Sequence, residues 1–263
     1  MPESVYYATL ARKKRPAKYT ALAVDIRAIF VQSRGAAGKR TIQAQLRLKG
    51  IKAGLALIAK LMKQQGLVSK QPRKRHRYGE SDTQTAAAEN LLARNFTPAP
   101  AQQVLCGDVT YIKVRERWYY LAVVLELGRR QVVGWKFKAQ HNSELVCEAL
   151  NHAMLKVKAQ GNTLFHSDQG SVYRSENFVA AVKRHGLTQS MSRKGNCWDN
   201  APMERWFRSF KHEWMPKGGY ASMEDALNDI REYVLYYNHQ RPHRFNNGMP
   251  PCIKQPIGDC GNG

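Results

Sequence analysis

Three carboxylates in this sequence stand in settings that ordinary surface acids rarely occupy. Asp108 lies among strand-forming residues, Asp168 follows a short apolar stretch, and Glu204 lies near the start of a helical pattern. The ends of strands are where α/β sheets usually present catalytic groups. Carboxylates that converge on one point repel each other unless a cation balances them, and hard oxygen ligands select magnesium or manganese over zinc. The three residues therefore predict an oxygen-ligated divalent metal site.

Such a site would suit phosphodiester chemistry. Two divalent ions, about 4 Å apart, can activate an attacking oxygen and stabilise the leaving oxygen. The predicted catalytic residues and metal ligands are Asp108, Asp168 and Glu204, with two Mg²⁺ as the cofactor and Mn²⁺ as the alternative. Spacing alone supports this only weakly, because a chain with 20 acidic residues offers many triplets.

The pattern around Glu204 predicts a helix with two unlike faces. Asn200 can cap this helix through its side chain, and Pro202 suits the first turn. Glu204, Arg208 and Lys211 recur at i, i+4 and i+7, which gives the hypothesis that the two cations bind phosphates beside the metal. The simpler interpretation is an ion pair on a solvated helix, worth a few tenths of a kcal/mol. The opposite face, predicted to be buried, carries Met203, Trp206, Phe207, Phe210 and Trp214.

Three successive strands followed by alternating helices and strands would position these residues. This order is typical of an α/β layer fold with a mixed sheet. β-Branched and aromatic runs predict strands over residues 105–114, 118–125, 130–137, 163–166 and 187–191. Helical periodicity predicts helices over residues 143–158, 176–185, 200–214 and 222–238.

A small basic helical region precedes this core. Helices are predicted over residues 20–33, 41–48 and 55–65, and the last two form a helix-turn-helix unit of the kind that docks in the major groove. We therefore predict a DNA-binding region at 1–69, a basic linker at 70–100 and a catalytic core at 101–263. The predicted DNA contacts in the first two segments are Lys39, Arg40, Arg73, Lys74, Arg75 and Arg77.

The net charge of +22 is concentrated at the start of the chain. Residues 1–80 hold 19 Lys and Arg against three acidic residues. Basic proteins bind polyanions by releasing counterions, so nucleic acid is the leading partner, and a ribosome- or membrane-surface-binding tail is the alternative. Together with the predicted helix-turn-helix unit, this charge favours double-stranded DNA. The longest apolar stretch, 121–125, is too short to span a membrane. With no signal pattern at the N-terminus, a cytoplasmic location is expected.

The five cysteines show no CxxC pair, which favours reduced structural thiols. A zinc site could be imagined at His239, His243, Cys252 and Cys260, but the gaps between these residues are poor for zinc.

The sequences around the three acids add a specific resemblance. Asp-Val-Thr-Tyr-Ile at 108–112, His-Ser-Asp-Gln-Gly-Ser at 166–171 and Asp-Asn-Ala-Pro-Met-Glu at 199–204 resemble the catalytic blocks of bacterial insertion-sequence transposases with a retroviral-integrase-like core. The intervals of 59 and 35 residues between the acids also fit. Tyr237-Asn238 with Arg241-Pro242-His243 resembles the closing motif of the family.

This resemblance implies a ribonuclease H-like fold, two magnesium ions, and Asp108, Asp168 and Glu204 as ligands. It also implies cleavage at the element's terminal repeats, followed by attack of the freed 3′-hydroxyl on target DNA. A homo-oligomer on nucleoid DNA is expected, and the chain is similar to a second-reading-frame product whose upstream frame supplies another segment. The other interpretations are a DNA-binding regulator and a metal-dependent nuclease that does not join strands.

Two segments depart from the family pattern. Residues 126–130 read Glu-Leu-Gly-Arg-Arg where relatives carry Asp-Leu-Phe-Ser-Arg, and the third helix begins at Ala53-Gly54 without a polar cap. The second departure weakens the expectation that residues 35–66 read a specific DNA sequence.

Overall fold

The computed structural model describes residues 19–70, 88–99, 102–159, 161–193 and 197–253. These residues form two compact units, the first ending before residue 72. The predicted DNA contacts Arg73, Lys74, Arg75 and Arg77 lie outside the described residues, as does Cys260.

The first unit packs three short helices, α1 (Thr20–Gln32), α2 (Lys39–Leu48) and α3 (Leu55–Gln64), as the apolar periodicity predicts. Gly38 and Gly54 occupy the N-cap positions of α2 and α3, and neither helix start has a side-chain cap. Because α2 begins two residues before the predicted start, Lys39 and Arg40 lie exposed in its first turn. The buried centre of this unit includes Ile26, Ile29, Ile42, Leu46 and Ile58.

The second unit is built on a five-stranded sheet in the order β3-β2-β1-β4-β5. β1, β2 and β3 are antiparallel neighbours, whereas β4 pairs parallel to β1 and β5 pairs parallel to β4. This arrangement confirms the predicted mixed sheet of an α/β layer fold. The strands are β1 (Val104–Val114), β2 (Arg117–Glu126), β3 (Gln131–Lys138), β4 (Leu164–Ser167) and β5 (Thr188–Met191).

Helices cover both faces of this sheet. Side chains of β1 alternate between the two faces: Leu105 packs with the helices of one layer, while Val104 and Cys106 pack with those of the other. The first layer contains α4 (Ser143–Met154), α5 (Ser171–Arg174) and α6 (Glu176–Arg184). The second contains α7 (Ala201–Ser209), a π-helical turn (Phe210–Trp214) and α8 (Met223–His239).

Three local predictions need correction. The helix predicted over 143–158 ends at Met154, and the four-residue α5 was not predicted. The helix predicted over 200–214 is α-helical only to Ser209 and then widens into the π-turn. This turn has buried Phe210 at its start and buried Trp214 at its end, so tertiary packing decides its geometry.

The turn between β2 and β3 contains the first departure from the family pattern. The Glu126 carboxylate accepts hydrogen bonds from the backbone N–H groups of Gly128 and Arg129, at 2.6 and 2.9 Å. Arg130 follows with a φ of 59°, in the left-handed region. The departing residues thus form a self-capped turn that preserves the pairing of the two strands.

We predict that Gly134→Ala will lower the free energy of unfolding by about 1–3 kcal/mol. A Cβ at Gly134 in β3 would lie 2.3 Å from the Ala149 carbonyl oxygen of α4, so strand and helix would have to separate. Urea unfolding measures the change. Gly161→Ala is the matched control, since a Cβ there meets nothing within 4 Å and should change stability by less than about 0.5 kcal/mol. Equal effects of the two substitutions would contradict the close approach.

Candidate active site

The parallel pairing of β1 and β4 brings the first two predicted acids side by side. Cys106 is in register with His166 in the last aligned pair. Asp108 lies two residues beyond Cys106, and Asp168 lies two residues beyond His166. The two aspartates therefore occupy equivalent positions at the carboxyl end of β4, where the sheet topology predicts a site.

The electrostatics show that these acids are close neighbours. Burial, together with the negative charges of Asp168 and Glu204, raises the pKa of Asp108 to about 8. The Val109 N–H, which donates to Asp108 Oδ1 at 2.7 Å, opposes the shift, as does the positive charge of Lys211. This is the repulsion that the sequence predicts when carboxylates converge without a cation.

Glu204 lies in the first turn of α7, with its side chain exposed. It is near enough to Asp108 to raise the pKa of that aspartate. Among the residues that the structure describes, however, no three Asp, Glu, His or Cys side chains form a ready-made metal cage. The structure thus places Asp108 and Asp168 side by side, with Glu204 close enough to interact electrostatically with Asp108.

Asn200 joins α7 to the strand that carries Asp108. Asn200 is the N-cap residue of α7, as predicted, but its side chain makes no capping hydrogen bond, and its Nδ2 instead donates to the Gly107 carbonyl at 3.3 Å. Its Oδ1 is buried and accepts no hydrogen bond within the described part of the chain. Gly107 also lets the Phe165 ring of β4 pack closely against β1, because a Cβ at position 107 would lie 2.4 Å from that ring. A buried acceptor next to Asp108 suits a donor that arrives with a substrate.

His166 ties β4 and β5 to the turn before α7. Its Nε2 lies 3.1 Å from the Asp199 carbonyl, which can only accept, so Nε2 carries the proton. Nδ1 therefore accepts from the Ser190 hydroxyl at 2.9 Å, and that hydroxyl in turn accepts from the Leu91 N–H at 3.0 Å. Burial lowers the pKa of His166 to about 4, which keeps the ring neutral. The network fixes β4, the strand that immediately precedes Asp168.

Asp199 is a buried ionic anchor in the same turn. Its carboxylate accepts from Arg94 Nε at 2.6 Å, Arg193 Nε at 3.1 Å and Asn90 Nδ2 at 3.0 Å. Burial opposes ionisation, but hydrogen bonds from Arg193 and Arg94 outweigh it and hold the pKa of Asp199 at about 2. The segment before β1 is thereby fastened to the turn that starts α7. The sequence gives no signal for this role beyond the unusual Asp-Asn pair at 199–200.

The basic residues predicted to contact DNA lie in different parts of the structure, and among those that the structure describes, Lys211 is the one that interacts with the predicted catalytic acid Asp108. Lys211 interacts electrostatically with Asp108, and its Nζ lies 4.5 Å from the centre of the Tyr111 ring. Arg208 is half-buried on α7. Lys39 and Arg40 belong to the first unit. The zinc alternative is not tested, because Cys260 lies outside the described residues. No helix of the described chain is long and apolar enough to cross a membrane.

Comparisons with known proteins agree with this arrangement. Models described as integrase core domains match residues 98–197 and 185–251, and a model of an HTH-like domain matches residues 18–75. The Shigella sonnei insertion element IS600 uncharacterized 31 kDa protein is 33% identical over 236 residues, which cover 89% of this chain and 87% of that protein. The transposase InsF for insertion sequence IS3A of Escherichia coli is 34% identical, covering 85% of this chain and 78% of InsF.

Among solved structures, the HTLV-2 integrase catalytic core domain in complex with magnesium aligns with 56% of this chain and 92% of its own. The identity is 18% and the TM-score is 0.45.

We predict that Asp199→Asn will lower the free energy of unfolding at pH 7 by about 2 kcal/mol or more, because Arg94 and Arg193 lose their shared anion. Because the pKa of Asp199 is depressed in the folded state, its ionised carboxylate stabilises the fold fully at pH values above the unfolded-state pKa near 3.9. This stabilisation is lost as the pH falls through the folded-state pKa of about 2. The difference between wild type and variant should therefore shrink from about pH 4 to about pH 2 in urea titrations.

Glu116→Gln provides the control for this prediction, because Glu116 pairs with Lys113 while remaining highly exposed. Its loss should change stability by less than about 0.5 kcal/mol. A pH-independent difference for Asp199→Asn would show that the ionised carboxylate is not the stabilising species.

Proposed function

We propose, since this chain belongs to the family of insertion-sequence transposases with an integrase core domain, that Asp108, Asp168 and Glu204 are its catalytic acids. The family fixes the activity as DNA transposition by a DDE-type transposase. The observation that supports the assignment of residues is the electrostatic coupling of Asp108 to both other acids, across β1, β4 and α7.

An integrase-like core implies the use of a divalent metal, and the chemistry of the site fits one. Asp108 and Asp168 supply hard oxygen donors, and a cation would relieve the repulsion that raises the pKa of Asp108. We assign Asp108, Asp168 and Glu204 as the ligands of two Mg²⁺ ions, which Mn²⁺ could replace. Such ions, when bound, supply Lewis-acid activation of the attacking oxygen and stabilisation of the leaving oxygen.

The other residues of the site hold and orient the DNA. Lys211, which lies near Asp108 in the π-helical turn, would neutralise a phosphate next to the scissile bond, and Arg208, three residues earlier on α7, would contact a neighbouring phosphate. Asn200 Oδ1, a buried acceptor without a partner among the described residues, would accept from the hydroxyl that enters beside Asp108. The His166 and Asp199 hydrogen bonds keep β4 and α7 in place while strands are exchanged.

The first unit would bind the element's terminal repeats. Lys39 and Arg40 flank the start of α2, where free backbone N–H groups attract phosphate. The basic residues Arg73, Lys74, Arg75 and Arg77 would follow the DNA backbone beyond it. We further propose that at least two protomers assemble on paired ends in the nucleoid, which gel filtration with and without DNA would test. An upstream-frame partner stays a prediction from the resemblance.

The direct test of this function is Asp168→Asn in the full chain. Wild type, incubated with Mg²⁺ and DNA that carries the ends flanking its gene, should produce cleaved and joined products. The variant should lose both by at least about 10³-fold, a loss typical of removing a key electrostatic group, while binding DNA as wild type does. Asp225→Asn, a change of an exposed aspartate on α8, serves as the control and should leave both products unchanged.

Three outcomes would contradict the proposal. Binding by wild type without either product would favour a DNA-binding regulator, and cleavage without joining would favour a nuclease. Full activity of Asp168→Asn would remove this residue from the catalytic site.

A second prediction concerns the phosphate contact of Lys211. Lys211→Ala should weaken DNA binding and reduce the slope of log affinity against log salt by about one, because one fewer counterion is released. Lys183→Ala, which removes an exposed lysine from α6, should change the slope much less. Anisotropy titrations over a range of salt concentrations measure both. An unchanged slope in Lys211→Ala would exclude the phosphate contact.

A further inference from the structure

The end of the β1–β2 hairpin carries two large aromatic rings that the core does not use. Tyr111 is 58% exposed and Trp118 is 52% exposed. Their ring centres lie 5.1 Å apart with the planes nearly perpendicular, at 85°. The two rings therefore hold each other in a fixed geometry while an indole surface stays open to solvent. Exposed aromatic surface of this kind is typical of binding sites.

The strand register extends this surface into a patch. Tyr111 lies opposite Tyr120, and Lys113 lies opposite Trp118, so all four side chains project from the same face of the hairpin. We call this group (Tyr111, Lys113, Trp118 and Tyr120) the hairpin patch. Tyr120 also stacks on the His141 ring, with centres 5.0 Å apart. Aromatic rings and a cation thus alternate across two neighbouring strands.

Lys211 connects the hairpin patch to the catalytic acids. Its Nζ lies 4.5 Å from the centre of the Tyr111 ring, and its charge interacts with Asp108. Asp108 and Tyr111 project from opposite faces of β1, but β4 pairs with β1 only as far as Cys106. Beyond Cys106, Asn200 contacts this edge at Gly107 and the Tyr220 backbone contacts it at Lys113, so Lys211 meets Tyr111 within the stretch of β1 between these two contacts.

The chemistry of the patch selects its ligand. Aromatic rings flanked by lysines bind single-stranded nucleic acid, because bases stack on the rings while the cations neutralise the backbone. In a duplex the bases stack on one another, so their faces are not free to stack on an exposed indole. A strand end at a cleavage site can open and present such a base. This inference rests on the proposed function, which places a DNA end at Asp108 and Asp168.

We propose that Trp118 stacks on an unpaired base of the DNA end held at the catalytic acids. Tyr111 supports the indole from the side, and Lys113 and Lys211 neutralise the phosphates on either side of that base. The hairpin patch is therefore a strand-separation site that holds an opened end during strand transfer.

The test compares two DNA probes with the full chain in metal-free buffer, where no cleavage occurs. One probe is a blunt duplex of about 20 base pairs, and the other adds a single-stranded tail of about five nucleotides, within the range that such sites cover. The tail carries 2-aminopurine, whose fluorescence is quenched on stacking. Trp118→Leu should bind the tailed probe about tenfold more weakly than wild type and lose the quenching, while binding the blunt probe normally. Trp118→Phe should retain most of both properties.

Leu235→Ala is the matched control, because Leu235 is 54% exposed and lies on α8 outside the patch. It should leave binding to both probes unchanged. Equal binding of the tailed probe by wild type and Trp118→Leu would overturn the proposal, as would an equal loss on both probes. If Trp118→Leu instead disrupts self-association in sedimentation while tail binding persists, the patch is an interface between copies and the proposal is wrong.

The cleavage assay with Mg²⁺ separates this inference from the proposed function. If wild type cleaves and joins DNA while Trp118→Leu binds the tailed probe as wild type does, only the stacking role fails. If wild type forms neither cleaved nor joined product, the proposed function itself fails, and the stacking inference that rests on it fails too.

Discussion

Repulsion between the carboxylates of Asp108, Asp168 and Glu204 is the constraint on which the rest of the catalytic unit depends. Burial and its two acidic neighbours raise the pKa of Asp108 to about 8, so ionising this carboxylate costs free energy when no cation is bound. The sheet imposes this proximity, since the parallel register of β1 and β4 sets the two aspartates side by side. A bound cation would convert that repulsion into binding energy.

The surrounding hydrogen bonds resist this repulsion. His166 joins β4 and β5 to the turn before α7, and Asp199 fastens the same turn to the segment that precedes β1. Asn200 completes the frame by contacting the backbone of β1 next to Asp108. These groups are buried and mostly satisfied, so they hold three separate elements in one arrangement before DNA or metal arrives.

Much of this could be predicted from the sequence, because strand and helix periodicities are local properties. The apolar face from Met203 to Trp214 and the three-strand start of the sheet follow directly from residue order, and the structure confirms them. Side-chain partners could not be predicted in the same way. Asn200 is the N-cap residue that the sequence predicts, yet its side chain bonds to Gly107, which is 93 residues away. The anchoring of Asp199 by Arg94 and the perpendicular packing of Tyr111 on Trp118 also depend on tertiary contacts.

The central claim is that the three carboxylates together bind a divalent cation, and Mn²⁺ titration of the full chain, followed by electron paramagnetic resonance, tests it most directly. Wild type bound to DNA should hold Mn²⁺, and Asp108→Asn, Asp168→Asn and Glu204→Gln should each weaken that binding markedly. Asp225→Asn should bind as wild type does. Mn²⁺ affinity that is unchanged in all three site variants would contradict the account, since the cation would then have other ligands.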